Sequence, residues 1–175
     1  MKKLHISSLL ILIVLFFSIS CSKTEDGDEH CPEGYTGKNC DIQITPDTVF
    51  ITEIKVLRFP ASNILEENWD TNSNADIYVQ VWQNNEQIWN STMIFANAIS
   101  DTGTQYRFIP ADTIALTDQM AQYAIQLFDQ DNASEDDYMG GINFISYSNN
   151  NGFPESMILD DGDKVAFELL LEYVW

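Results

Sequence analysis

From Pro46 onward, apolar and polar residues alternate with a period of two, in runs too short and too regular for helices. Ile77, Val79 and Val81 alternate with Tyr78, Gln80 and Trp82; Tyr123, Ile125 and Leu127 repeat the pattern; Val165, Phe167, Leu169, Leu171 and Tyr173 do so against Glu168 and Glu172. In an extended strand this spacing sends alternate side chains to opposite faces, so each run carries one apolar face that must be covered. Clusters of Asn, Asp, Gly, Ser and Pro separate the runs, as turns require. The pattern predicts an all-β fold, an antiparallel two-sheet β-sandwich over residues 46–175. Seven strands are expected, with further ones at Val49–Phe59, Gln87–Phe95, Thr104–Ile109 and Gly141–Tyr147. An eighth arises if the first run breaks near Thr52, and Ala111–Met120 reads as a loop or short helical turn. Trp82, Trp89 and Trp175 are expected to pack in or beside the core.

The amino terminus obeys a different rule. Lys2 and Lys3 precede an apolar stretch from Leu9 to Phe17, followed by Ser18-Ile19-Ser20-Cys21. This is the layout of an export signal, and it falls short of the roughly 20 apolar residues a spanning helix needs. Ser20-Cys21 resembles the lipobox of bacterial lipoproteins, although Ile19 stands where a small residue is frequent. The resemblance implies cleavage of residues 1–20 and acylation of Cys21, anchoring the chain to its own membrane. Residues 21–30 are polar and acidic and read as a flexible tether. The expected location is the bacterial cell envelope, at the outer membrane, on either its periplasmic or its surface face.

With Cys21 acylated, Cys31 and Cys40 remain as a pair in an oxidising compartment. Cys31-Pro-Glu-Gly34-Tyr35-Thr-Gly37-Lys-Asn-Cys40 resembles the last disulfide loop of an EGF-like module, without that module's other four cysteines. Residues 31–42 are therefore expected to form a single stapled hairpin, serving as a spacer. His30 is the only histidine after residue 20, which leaves histidine-based triads and most zinc sites unsupported.

Charge narrows the partners. The whole chain carries 8 Lys and Arg against 27 Asp and Glu, a formal net charge of -19; loss of Lys2 and Lys3 makes it -21. Nucleic acid and anionic headgroups are poor partners for such a surface.

The acids concentrate where loops are expected. Asp70 and Asp76 lie six residues apart as the chain enters the strand beginning Ile77-Tyr78-Val79. Asp129, Asp131 and Asp137 follow the strand that ends at Phe128. If the two loops meet, five carboxylates converge, and such a cluster splays or raises its own pKa values unless a cation joins it. Calcium suits loops rich in Asp, Asn and Ser, because it takes six to eight oxygens at about 2.3 to 2.6 Å. An EF-hand is excluded, since a loop opening at Asp129 has Ser134 in place of its glycine and Gly140 in place of its closing glutamate.

These two spacings resemble those of the C2 domain, the calcium-binding β-sandwich of synaptotagmins and protein kinase C. Asp70, five residues, Asp76-Ile-Tyr-Val is similar to that family's Asp, five residues, Asp-Pro-Tyr-Val, with Ile77 in place of the proline. Asp129-Gln130-Asp131, five residues, Asp137-Tyr-Met-Gly140 is similar to its third calcium loop. The resemblance covers Val49 to Tyr147. It implies Ca2+ ligated by Asp70, Asp76, Asp129, Asp131 and Asp137, with the carbonyls of Trp69 and Gln130 and the Ser134 hydroxyl as auxiliary ligands.

The expected function is a non-enzymatic, lipid-anchored module whose calcium loops order a recognition surface for a protein or glycan ligand. Calcium-dependent insertion into anionic bilayers is expected to be weak or absent: Gln83–Asn90 holds no lysine, and of the loop residues only Trp69 could insert. The alternatives are a structural spacer or assembly subunit without a functional metal site, and an enzyme built on Glu66–Glu67 or Asp136–Asp137, whose neighbours point to opposite faces of a strand. Asp47-Thr48-Val49 and Asp112-Thr113-Ile114 resemble an O-glycosylation triplet of some Gram-negative envelopes.

Overall fold

The computed structural model describes residues 31–70, 72–100, 103–132, 134–149 and 151–175. The signal segment, Cys21, the tether and His30 lie outside the described residues, as do Thr71 and Ala133 of the acidic loops.

The described chain is all strand. A two-stranded hairpin, β1 (Tyr35–Thr36) and β2 (Ile42–Gln43), precedes nine sandwich strands: β3 (Thr48–Arg58), β4 (Ile77–Gln83), β5 (Glu86–Asn90), β6 (Tyr106–Phe108), β7 (Ile114–Leu116), β8 (Tyr123–Asp129), β9 (Asp137–Phe144), β10 (Ser156–Asp160) and β11 (Ala166–Val174). One sheet runs β10-β11-β3-β6, with β7 also on β3; the other runs β5-β4-β8-β9. All pairings are antiparallel. Because β6 pairs with Ile54–Val56 and β7 with Val49–Ile51, they form two halves of one edge, and the sandwich has eight strand positions.

The first strand does not break near Thr52, but its phase slips there. Val49 and Ile51 point inward, and so do Ile54 and Val56, which lie on the other parity. Thr52 is the extra residue, where the register against β11 jumps between Leu170 and Leu171, and its hydroxyl donates to the Leu170 carbonyl at 3.3 Å. A bulge adds one residue without ending the strand. The edge partner changes from β7 to β6 at the same point.

The two inner faces share one core, whose largest fully buried side chains include Tyr123, Phe108, Phe167, Ile51, Ile54, Ile77 and Leu127. Trp89 packs beside it, as expected. Trp82 instead sits on the outer face of its sheet, two residues from Gln80. Three other expectations are corrected. Gln87–Phe95 yields a strand only to Asn90, because Ser91 turns to bond Val79 and the Met93 carbonyl. Ala111–Met120 contains β7 and no helix. The strand expected at Gly141–Tyr147 begins earlier, at Asp137, and ends at Phe144.

The Cys31–Cys40 disulfide is formed. The hairpin is docked on the sandwich instead of standing apart from it as a spacer, and residues 31–175 make one compact unit. Gly34 approaches Phe153 and Trp175 so closely that an added Cβ would lie 2.3 Å and 2.6 Å from their rings. Its carbonyl accepts from Ile44 N–H at 2.8 Å, and the Gln43 amide exchanges two hydrogen bonds with the Gly152 backbone. Phe153 is the hub, in edge contact with Tyr35, Tyr173 and Trp175 and stacked on Tyr147. Strand directions put this aromatic clasp at the end where β3 starts and β11 finishes, opposite the acidic loops.

Candidate functional site

Strand register assembles the acidic end. Ile77 at the start of β4 pairs with Asp129 at the finish of β8, and Asp129 pairs with Asp137 at the start of β9. Neighbouring strands lie about 4.8 Å apart, so Asp76, Asp129 and Asp137 arrive side by side from one sheet edge. The loops meet through their backbones as well: Gln130 N–H donates to the Asp76 carbonyl at 2.8 Å, extending the ladder past the strand end.

Asp129 is the centre of this arrangement. It is fully buried; one carboxylate oxygen, Oδ1, accepts from Asp76 N–H at 2.5 Å, and the other, Oδ2, is buried with no hydrogen-bond partner. Burial pushes its pKa up to about 6 against the pull of that Asp76 N–H, and the charges of Asp70, Asp131 and Asp76 add to the rise. The charges of Asp70, Asp76 and Asp131 thus act on Asp129, while Asp137 is delivered to the same strand end by register with its side chain exposed.

The surrounding acids are held by local donors. Ser73 hydroxyl donates to Asp70 at 2.8 Å, and Asn97 N–H to Asp76 at 2.7 Å. Among the described residues, no three His, Cys, Asp or Glu side chains are gathered as they stand into a group that could hold a metal ion. Ser134 is exposed in the turn. Trp69 packs inward, its indole N–H donating to the Pro60 carbonyl at 2.8 Å, and so does not form an apolar tip.

Sequence reasoning missed three features of this end. Asp136 ties the second loop together, accepting from Asp131 N–H at 3.1 Å and from the Tyr78 hydroxyl at 2.7 Å. Ile64 and Leu65, in the first loop, are 88% and 70% exposed. The β10–β11 turn brings further acids, of which Asp160 and Asp161 pair with Arg58 and Asp161 also accepts three backbone N–H groups. Between that turn and the first loop lies a cleft of about 970 Å³, lined by Pro60, Ile64, Trp69, Tyr138 and Lys164.

No protein-family model and no curated protein sequence matches the chain. Solved structures do. The sandwich is similar to a C2 domain at 10% identity and a TM-score of 0.50, covering 73% of this chain and 98% of that one. The paired C2 domains of calcium-bound Extended-Synaptotagmin 2 match at 17% identity and a TM-score of 0.40, over 74% of this chain and 46% of that one. Human GIVD cytosolic phospholipase A2 matches at 16% identity and a TM-score of 0.43, over 73% of this chain; this chain spans only 17% of that protein. The fold, an antiparallel sandwich with two aspartate-bearing loops at one end, is that of a C2 domain.

Proposed function

We propose that the domain binds calcium between its two acidic loops, and that the ion fixes them as one recognition surface. The observation that supports this reading is Asp129 Oδ2, a buried carboxylate oxygen with no donor, on a residue that also feels the charges of Asp70, Asp131 and Asp76. An uncompensated buried charge is expensive, and a hard cation with several oxygen ligands compensates it. Asp70, Asp76, Asp129, Asp131 and Asp137 would be the carboxylate ligands, with the Trp69 and Gln130 carbonyls and the Ser134 hydroxyl completing the set. Rotation of the outer carboxylates away from Ser73 and Asn97 is the movement this requires.

The chain acts as a non-enzymatic module anchored in the bacterial envelope through lipid on Cys21. Ile64 and Leu65 give the ion-bearing end an apolar contact for a protein or glycan partner. Insertion into anionic bilayers is disfavoured, because the acids dominate this end and no lysine lies in β4 or β5.

Calorimetric titration of the full chain with millimolar calcium, beside the Asp129→Asn/Asp131→Asn double variant, tests the site. Heat from the wild type and none from the variant is expected. Equal heats, or none from either, would show the loops to be solvated turns and return the protein to a purely structural role.

A further inference from the structure

A second surface lies on the outer face of the β5-β4-β8-β9 sheet, toward the end away from the acidic loops. Antiparallel register places residues in cross-strand rows, and two adjacent rows here read Gln80, Gln126, Gly141 and Trp82, Ala124, Asn143. No outward position of these rows is charged, in a protein with a formal net charge of -19. Beside them opens a cleft of about 270 Å³ whose walls include Trp82, Asn85, Gln122, Gln126 and Asn143, again without an ionisable group except the buried Tyr123.

The cleft is built into the fold. Asn84 and Asn85 close the β4–β5 hairpin with φ of 48° and 70°, the left-handed pair such a tight turn needs, and Asn84 N–H donates to the Gln122 carbonyl at 3.2 Å. That bond ties the hairpin to the entry of β8 and fixes the cleft's two walls. Trp82 indole N–H donates to the Gln80 amide oxygen at 3.0 Å, which leans the ring along the strand.

We infer that this face binds a neutral glycan chain. Each amide offers both donors and acceptors, matching hydroxyls that also do both, and the half-buried Trp82 borders them in the cleft wall. Ala124 is the only aliphatic side chain in the lining, too little apolar area to seat the dry core of a protein interface. An anionic polymer finds no cation here and meets the field of the surrounding acids. The cleft lies at the other end of the sheet from Asp129, so its binding is independent of calcium and of the function proposed above.

Electrophoresis of the full chain through gels containing mannan, xylan, β-glucan or polygalacturonate tests the inference. Retardation by at least one neutral polymer is expected, unchanged by EDTA and absent with polygalacturonate. Gln126→Ala and Trp82→Ala should each weaken it about tenfold, circular dichroism confirming that both variants remain folded; Gln126→Ala carries the test if the tryptophan variant misfolds. Passage unaltered by every neutral polymer would overturn the inference, as would retardation that both variants retain. Sedimentation showing a concentration-dependent dimer that Gln126→Ala dissolves, without glycan binding, would overturn it too and assign the face to self-association.

Discussion

Two buried carboxylates on opposite sheets respond to acid with opposite signs. Glu53 is held below the usual carboxylate range by its paired bonds to Arg107, at 2.6 and 2.7 Å. Its contribution is present above pH 4.5 and is lost as pH falls through its lowered folded value. Asp129 is raised, to about 6, so the calcium-free fold binds a proton that the unfolded chain has already released near 3.8. Its contribution is present below pH 3.8 and is lost as pH rises to about 6, by up to about 3 kcal/mol. Urea unfolding in EDTA should therefore show calcium-free stability falling between about pH 4 and about pH 6, and Asp129→Asn should flatten that slope. A variant with an unchanged slope would remove Asp129 as its source. Glu53→Gln should cost about 1 to 2 kcal/mol at about pH 7 in the same assay, because it weakens a charge-assisted pair while Arg107 stays in solvent. The meeting of Asp76, Asp129 and Asp137 at one strand end was legible in the sequence because strand register carries it to three dimensions, whereas Asp70 and Asp131 lie in loops that no register positions. The orphaned Oδ2 was not, since it depends on which neighbours reach it. Ile64 and Leu65 were missed because isolated apolar residues in a polar loop give no period from which to infer exposure.

At the scale of elements, the hairpin gains its role from packing. Gly34, at φ +83°, has no room for a Cβ beneath Phe153 and Trp175, so Gly34→Ala should destabilise the fold by about 2 to 3 kcal/mol in chemical unfolding. Replacing Cys31 and Cys40 together by serine should cost about 2 to 3 kcal/mol by loop entropy and shift tryptophan emission to the red as the clasp around Trp175 loosens. Emission unchanged by that replacement would mean the clasp holds without its disulfide. Central strands were readable because β4, β8 and β11 each bury alternate residues against a shared core. β10 was not, as it is an edge strand burying only Leu159 of Ser156–Asp160. β7 offers just Ile114 and Leu116 around Ala115, too short a run to show a period. The amide face is not legible in the sequence, because a sequence does not say which outward residues form neighbouring rows.

At the scale of the whole sandwich, three regions are set apart. The aromatic clasp occupies one end and the acidic loops the other, and the amide face lies on the outer side of one sheet, toward the end away from the acidic loops. Calcium that binds the folded state alone stabilises it by about 2.7 kcal/mol at a hundredfold excess over Kd. The melting temperature of the wild type should accordingly rise with calcium and fall back with EDTA, while Asp129→Asn/Asp131→Asn stays level. The most direct measurement is a crystal structure grown in millimolar calcium. A cation is expected about 2.3 to 2.6 Å from Asp129 Oδ2, with the remaining ligands drawn from Asp70, Asp76, Asp131 and Asp137. Asp129 Oδ2 still without a ligand in those crystals, or calcium bound only elsewhere, would contradict the proposed site.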